Sequence, residues 1–339
     1  MSQQALWLTE DDVASLVSLE DAIGALEGGL REMGEGQAFN LPKALGGWED
    51  GASSMHSLGS AAPDAGFAGF KNWVFTPRGA KAVYLLFDAG QGKLLAMLEA
   101  NALGQLRTAA MTGVGTRWLA PQGADQLAII GSGAQALAQV AAIDAVRPLA
   151  RIRVWSPTPE KRAAFAARLA EEFDAEVSQA ASAEEAALGM PIVTLVTRAR
   201  APFFKASMLA PGAHLNAVGA ILPHNAEFDP DVFERVGMVA VDDLPNTQKA
   251  SREFIDHYGK DDEQGGSGWS RVKLIAQVIA ERTQRPADCD ISLFKSMGMG
   301  ISDLSVARMA YQRARDAGIG ASVSLGSRAK LRWKSAQTA

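Results

Sequence analysis

One cysteine in 339 residues, Cys289, excludes an intramolecular disulfide framework and is too little for a cysteine-based metal centre, so no metal is expected. Long apolar runs are missing as well: none approaches the roughly 20 residues that a membrane-spanning helix needs. The N-terminus carries Glu10, Asp11 and Asp12 where an export signal has a basic start and an apolar middle, and the expected location is cytoplasmic. Excess positive charge is absent too. With 33 Lys and Arg against 38 Asp and Glu, the net charge of −5 and pI near 5.5 supply no global field for nucleic acid or an anionic membrane, and neither partner is expected.

What the chain does have is an ordinary globular composition, 47% hydrophobic and 21% charged, at a length that buries a large core and divides into two domains. Its most informative stretch runs from Gln126 to Ala136. An apolar run, Leu127 to Ile130, breaks into Gly131, Ser132 and Gly133 and then into an alanine-rich helical pattern. The spacing reads G-x-G-x-x-A. Gly131 permits a tight turn, Gly133 lets a pyrophosphate approach the backbone, and the first amides around Ser132, Ala134 and Gln135 face its charge.

Such a turn is weak evidence alone, and its surroundings carry the reading. Arg151 to Trp155 is a second strand, followed by Ser156-Pro157-Thr158-Pro159 and a helical pattern from Glu160 to Phe173. That is the βαβ unit of a dinucleotide site. The carboxylate expected at the end of the second strand, which binds the ribose hydroxyls of NAD, is missing. Ser156 and Thr158, with Lys161 or Arg162 one turn on, can accept a 2′-phosphate instead, which favours NADP(H) while leaving NAD(H) possible.

Elsewhere the patterns are local. Thr9 and Ser18 read as N-caps of two short helices. Residues 36–66 are rich in Gly, Pro and Ser and read as strands and loops. The stretch from Gly66 to Phe75 alternates, with Lys71 among aromatic residues, and the runs from Ala82 to Asp88 and Leu94 to Glu99, separated by Ala89-Gly90-Gln91-Gly92, form a hairpin signature. A helix rich in small residues follows and stops at Pro121. Strands from Ile192, His214, Met238 and Ile291 alternate with helical segments, implying a mostly parallel sheet covered on both faces. Gly259 to Gly268 reads as a mobile surface loop, and a capped helix runs from Ser302 to Ala317. The end, with Arg328, Lys330, Arg332 and Lys334 around Trp333, reads as a frayed basic tail.

Four segments together resemble the ornithine cyclodeaminase/μ-crystallin family: Gly69-Phe70-Lys71, Leu106-Arg107-Thr108-Ala109-Ala110, Asn216-Ala217-Val218-Gly219 and Leu293-Phe294-Lys295-Ser296-Met297-Gly298. They occur in order and cover the chain to about residue 318. The resemblance implies an α/β fold: a Rossmann-type doubly wound parallel sheet over residues 121–300, and a second α/β substrate and dimerisation domain from 1–120 plus 301–320, with 321–339 as the tail. It further implies a homodimer and hydride transfer between a nicotinamide and the α-carbon of a small amino or imino acid. Its members include cyclodeaminases, amino-acid dehydrogenases and imine or ketimine reductases, and some crystallin relatives noted for binding rather than turnover.

Residue chemistry agrees. Arg107 presents a planar fork suited to a substrate carboxylate, while Lys71 can bind the same carboxylate or, with its pKa lowered by burial, exchange a proton. Lys43 stands near the family's first basic position. Thr197, Asn216, Val218 and Gly219 are expected along the cofactor, with Lys295 and Gly298 closing over its nicotinamide side. The departure is Ile221. In cyclodeaminases and several dehydrogenases of the family an aspartate stands there as acid/base, and isoleucine carries no proton. This weakens a reading as ornithine cyclodeaminase proper and favours imine reduction, whose proton can come from Lys71, His56, water or an already protonated iminium. His224, just past Pro223, is the lesser histidine alternative.

Overall fold

The computed structural model describes residues 3–260, 268–326, 331 and 333. Most of the expected loop between Gly259 and Gly268, and the basic residues Arg328, Lys330, Arg332 and Lys334, lie outside the described residues.

The chain opens with strand β1 (Gln3–Leu8), then helices α1 (Glu10–Leu16) and α2 (Leu19–Gly34). Thr9 and Ser18 begin these helices as expected: each hydroxyl accepts the amide three residues on, and Asp12 and Asp21 return the bond to the cap backbone. The second helix is not short, because Ala22, Ile23, Leu26 and Leu30 recur on one face and bury together. Strands β2 (Phe39–Asn40), β3 (Ala44–Trp48), β4 (Ser53–Ala62), β5 (Phe67–Thr76), β6 (Gly79–Asp88) and β7 (Leu94–Glu99) follow, then helix α3 (Asn101–Leu119). β4 to β7 form an antiparallel meander in which side chains alternate faces; Lys71 and Leu58 are paired on the inner side.

The second sheet takes β8 (Gln126–Ile130), β9 (Arg151–Trp155), β10 (Glu176–Gln179), β11 (Ile192–Leu195), β12 (His214–Ala217), β13 (Val236–Val241), β14 (Lys273–Leu274) and β15 (Ile291–Lys295). The order is β10-β9-β8-β11-β12-β15-β13-β14, and every pairing is parallel. Helices α4 (Ala136–Asp144), α5 (Pro159–Glu172) and α6 (Ala183–Ala187) cross between the early strands; α7 (Leu244–Ala250), α8 (Arg252–Tyr258) and α9 (Ile275–Ala280) lie between the later ones. Because the chain moves outward from β8 to β9 and β10 and then returns to place β11 on β8's other side, a crevice opens at the carboxyl ends of β8 and β11.

Helix α10 (Gly300–Ala317) leaves the second sheet and packs against α2, α3, β4 and β5. It approaches closely at Gly300, where an added Cβ would sit 2.3 Å from the Gly59 carbonyl oxygen. One expectation is corrected here: the start of the supposed tail, β16 (Ala321–Leu325), is a strand antiparallel to β1, and β1 itself pairs in parallel with β7. Both pairings join segments far apart in sequence, as in Leu6 with Ala96 and Gln3 with Leu325, so no local pattern marks them.

Candidate active site

A cleft of about 920 Å³ runs from the Gly131 turn to the inner face of β4 and β5. Among the predicted residues Lys43, Arg107, Gly131, Ser132, Gly133, Ala134, Gln135, Ser156, Thr158, Lys161, Thr197, Val218, Gly219, Ile221 and Gly298 line it. The described lining includes Lys43, Arg107, Lys161 and Arg198 but no Asp or Glu. The charged positions of the wall therefore favour an anionic ligand over a cationic one.

At one end Gly131 has φ +123°, and a Cβ there would lie 2.6 Å from the Val196 carbonyl oxygen, so only glycine fits the turn. Gly133 faces open space. The amides of Ser132, Gly133, Ala134 and Gln135 find no acceptor among the described residues, leaving a row of donors ahead of α4. A dinucleotide pyrophosphate fits this cradle. At the end of β9 Ser156 is nearly buried, with its hydroxyl 3.0 Å from that of Ser132, and Arg162 Nη1 donates to the Ser156 carbonyl at 3.0 Å. Lys161 and Thr158 reach the cleft beside it, and Trp155 and Phe203 form an aromatic wall 5.9 Å apart.

The other end is built around a carboxylate that sequence reasoning passed over. Asp303, in the first turn of α10, is fully buried; its Oδ1 accepts from Lys71 Nζ at 2.7 Å and lies 3.2 Å from Arg107 Nε. The terminal nitrogens of Arg107 make no hydrogen bond to the described residues, so the fork stays free to take a ligand. Burial, then the Arg107 charge, lower the Lys71 pKa to about 8, with Asp303 pulling the other way. Lys71 Nζ sits 5.2 Å from the Trp73 ring centroid and Lys43 Nζ 5.8 Å, so three cations and one indole converge.

Lys71 itself, 4% exposed, stands just behind the lining, next to Arg107 and Trp73, and three other expected residues are placed elsewhere. His56 lies flat on Trp73, centroids 4.4 Å apart, with Nε2 2.8 Å from the Ser54 hydroxyl, and is not part of the cleft lining. Burial and the Lys43 charge lower its pKa to about 4, which leaves it without a proton to give at neutral pH. Asn216 is fully buried, bonded to His214, Thr116 and Thr194, and supports the cleft floor from inside. Lys295 is also fully buried: it donates to the Ala220 carbonyl at 2.7 Å and lies 3.6 Å from Glu253. It holds the Gly219–Ile221 loop from beneath instead of facing the nicotinamide side. His224, the lesser alternative, is exposed.

Two further carboxylates organise the rim. Glu227 accepts from the amides of Thr197, Gly219 and Ala220 and from the Thr197 hydroxyl, and burial raises its pKa. Asp242 accepts from the Ser296 hydroxyl and the amides of Met297 and Gly298, fixing the turn whose Gly298 lies against Arg107. Glu227 stands between Ala226 and Phe228, and Asp242 follows the apolar run of β13, patterns that mark a buried acid but not what it binds.

Fold and cleft define a protein of two sheets, one of them Rossmann-type, with a cation-bearing groove at its switch point. The chain belongs to the ornithine cyclodeaminase/mu-crystallin family, whose model matches residues 3–318. It is 32% identical over 240 residues to a Delta(1)-pyrroline-2-carboxylate reductase of Bacillus cereus, covering 70% of this chain and 72% of that one. To the ketimine reductase mu-crystallin of Mus musculus it is 32% identical over 232 residues, covering 68% and 69%. The solved structure of Thermococcus litoralis Delta(1)-pyrroline-2-carboxylate reductase in complex with NADH and L-proline superposes with a TM-score of 0.85 at 26% identity, over 93% of this chain and 99% of that one.

Proposed function

We propose that the protein is an NAD(P)-dependent oxidoreductase acting on an α-imino or α-amino acid, with imine reduction the favoured direction. The observation that carries this reading is the Lys71–Asp303–Arg107 cluster at the end of a groove that starts at a phosphate-type turn. A bound nicotinamide supplies the hydride. Arg107 orients the substrate carboxylate through its free terminal nitrogens, assisted by Lys43. Lys71 Nζ gives its proton to the substrate nitrogen, and Asp303 keeps that ammonium charged and aimed. Ile221, standing where other members carry an aspartate, adds an apolar wall and no second acid.

NADP(H) is the preferred cofactor in this reading, held by Ser156, Thr158 and Lys161 where no carboxylate would repel the 2′-phosphate. The molecule acts as a homodimer, with Leu45, Met55, Val74 and Phe75, all exposed on β3 to β5, covered by the partner.

The test is oxidation of NADPH and NADH in the presence of pyrroline and piperideine carboxylates and of α-keto acids with amines. Turnover with at least one of these, faster with NADPH and losing that preference in Lys161→Ala, is expected. NADPH binding without turnover on any of them would instead indicate a crystallin-like binding protein. Release of ammonia and proline from ornithine with catalytic NAD would indicate a cyclodeaminase.

A further inference from the structure

A second hollow, about 380 Å³, lies at the opposite end of the parallel sheet. Its walls come from the end of α3, the segment leading into β8, the loop after α4 and the segment leading into β15; it shares no lining residue with the cleft. Arg117, Arg147 and Arg285 converge there with the amides of Gln122 and Gln284, and Trp118 forms an apolar side.

The three guanidiniums are unequally neutralised. Arg117 pairs with Glu27, and the nearby Asp290 is engaged by Arg235. Arg147 and Arg285 have no carboxylate within 4.0 Å among the described residues, although the Arg285 charge, after that of Arg235, helps to hold the Asp290 pKa down. Both are held rigidly by main-chain oxygens: Arg147 by Val146 at 2.8 Å and Arg117 at 3.1 Å, Arg285 by Gly212 at 2.8 Å, Cys289 at 2.9 Å and Asp290 at 3.3 Å. In each the Nε is buried without a partner. Burial, and then the charge of Arg117, lower the Arg147 pKa, as like charges facing one hollow require. Half-buried forks fixed in place without counter-ions are a cost unless something negative completes them.

We propose that this hollow is a binding site for a small oxyanion carrying two or more negative charges, of the phosphoryl or dicarboxylate kind. Fixed by these carbonyls, the guanidiniums still carry terminal N–H bonds that the main chain does not take, on Arg285 Nη1 and on the second hydrogens of the Arg147 nitrogens, and these match a multiply charged oxyanion better than a monovalent halide. The site is independent of the catalytic reading: it stands at the amino ends of the strands, away from the phosphate-type turn.

Trp118 supplies the reporter. Inorganic phosphate and succinate are each titrated into the protein at constant ionic strength made up with chloride, following tryptophan fluorescence. A saturable change with at least one of them is expected, and which one saturates distinguishes phosphoryl from dicarboxylate. The change should vanish in Trp118→Phe, and the dissociation constant measured by calorimetry should rise about tenfold or more in Arg147→Gln but less in Arg147→Lys. Arg117→Gln, at a more exposed position, provides a second weakened variant should Arg147→Gln fail to fold. Lys161→Ala, in the cleft, should bind as the parent does. The proposal is overturned if neither anion saturates above the chloride background, or if binding is lost in Lys161→Ala and kept in Arg147→Gln and Arg117→Gln.

Discussion

At the scale of single residues, the proposed chemistry turns on how one buried carboxylate is shared by two cations. Arg107 holds Nε 3.2 Å from Asp303 in an ion pair and leaves its outer nitrogens for a ligand. Arg107→Ala should therefore raise KM for a carboxylated substrate by roughly 10- to 150-fold, the equivalent of about 1.5 to 3 kcal/mol for a charge-assisted pair, and steady-state kinetics measures it. An unchanged KM would remove the clamp. In the proposed mechanism Lys71 sets the pH dependence. A proton donor must be protonated, so with its pKa lowered to about 8 the value of kcat/KM should be level near pH 7 and fall as pH rises through 8. Asp303 raises that pKa, so Asp303→Asn should move the alkaline limb to lower pH. A merely structural role for Asp303 would lower activity without moving the limb. His56→Gln should leave the limb where it is.

Among the elements, the strand-turn-helix around Gly131 is the most constrained. Gly131→Ala introduces a Cβ against the Val196 carbonyl at a φ that L-residues avoid, and should weaken cofactor binding by an order of magnitude or more, read by calorimetric titration with NADPH. This element was legible in sequence because its signal is contained in about ten neighbouring residues: apolar strand, glycines, alanine-rich helix. The caps at Thr9 and Ser18 and the hairpin of β6 and β7 were legible for the same reason. The pairing of β1 with β16 was not, since a short edge strand such as β16 carries no more pattern than a loop. Asp303 was hidden in another way: an acid in the first turn of a helix reads as dipole compensation, and only the three-dimensional meeting with Lys71, 232 positions away, gives it a different task. Lys295 misled for the converse reason. Its motif is local, but the side chain's direction is decided by buried Glu253 and the Ala220 carbonyl.

For the whole molecule, the exposed apolar residues of β3 to β5 are the face on which the proposed dimer rests. Leu45 and Met55, on the neighbouring strands β3 and β4, are 55% and 57% exposed. Light scattering should give about twice the 35.8 kDa of one chain, and Met55→Glu with Val74→Glu should return it towards that value. A parent protein that stays at a single chain's mass at micromolar concentration would remove the dimer.

The docking of α10 across the two lobes also orders events in time. The first sheet is interrupted in sequence: its meander ends at Glu99, yet the helix and edge strand that complete it arrive only after residue 300. In a chain emerging from the ribosome every strand of the parallel sheet, β15 last, precedes Asp303, and until that acid arrives Lys71 and Arg107 would face each other as buried like charges. The meander's inner face thus has an electrostatic reason to stay open until the last helix arrives. In pulsed hydrogen exchange during refolding, amides of β8, β11 and β12 should gain protection before those of β4 and β5, so that the reacting centre is among the last parts of the molecule to come into being.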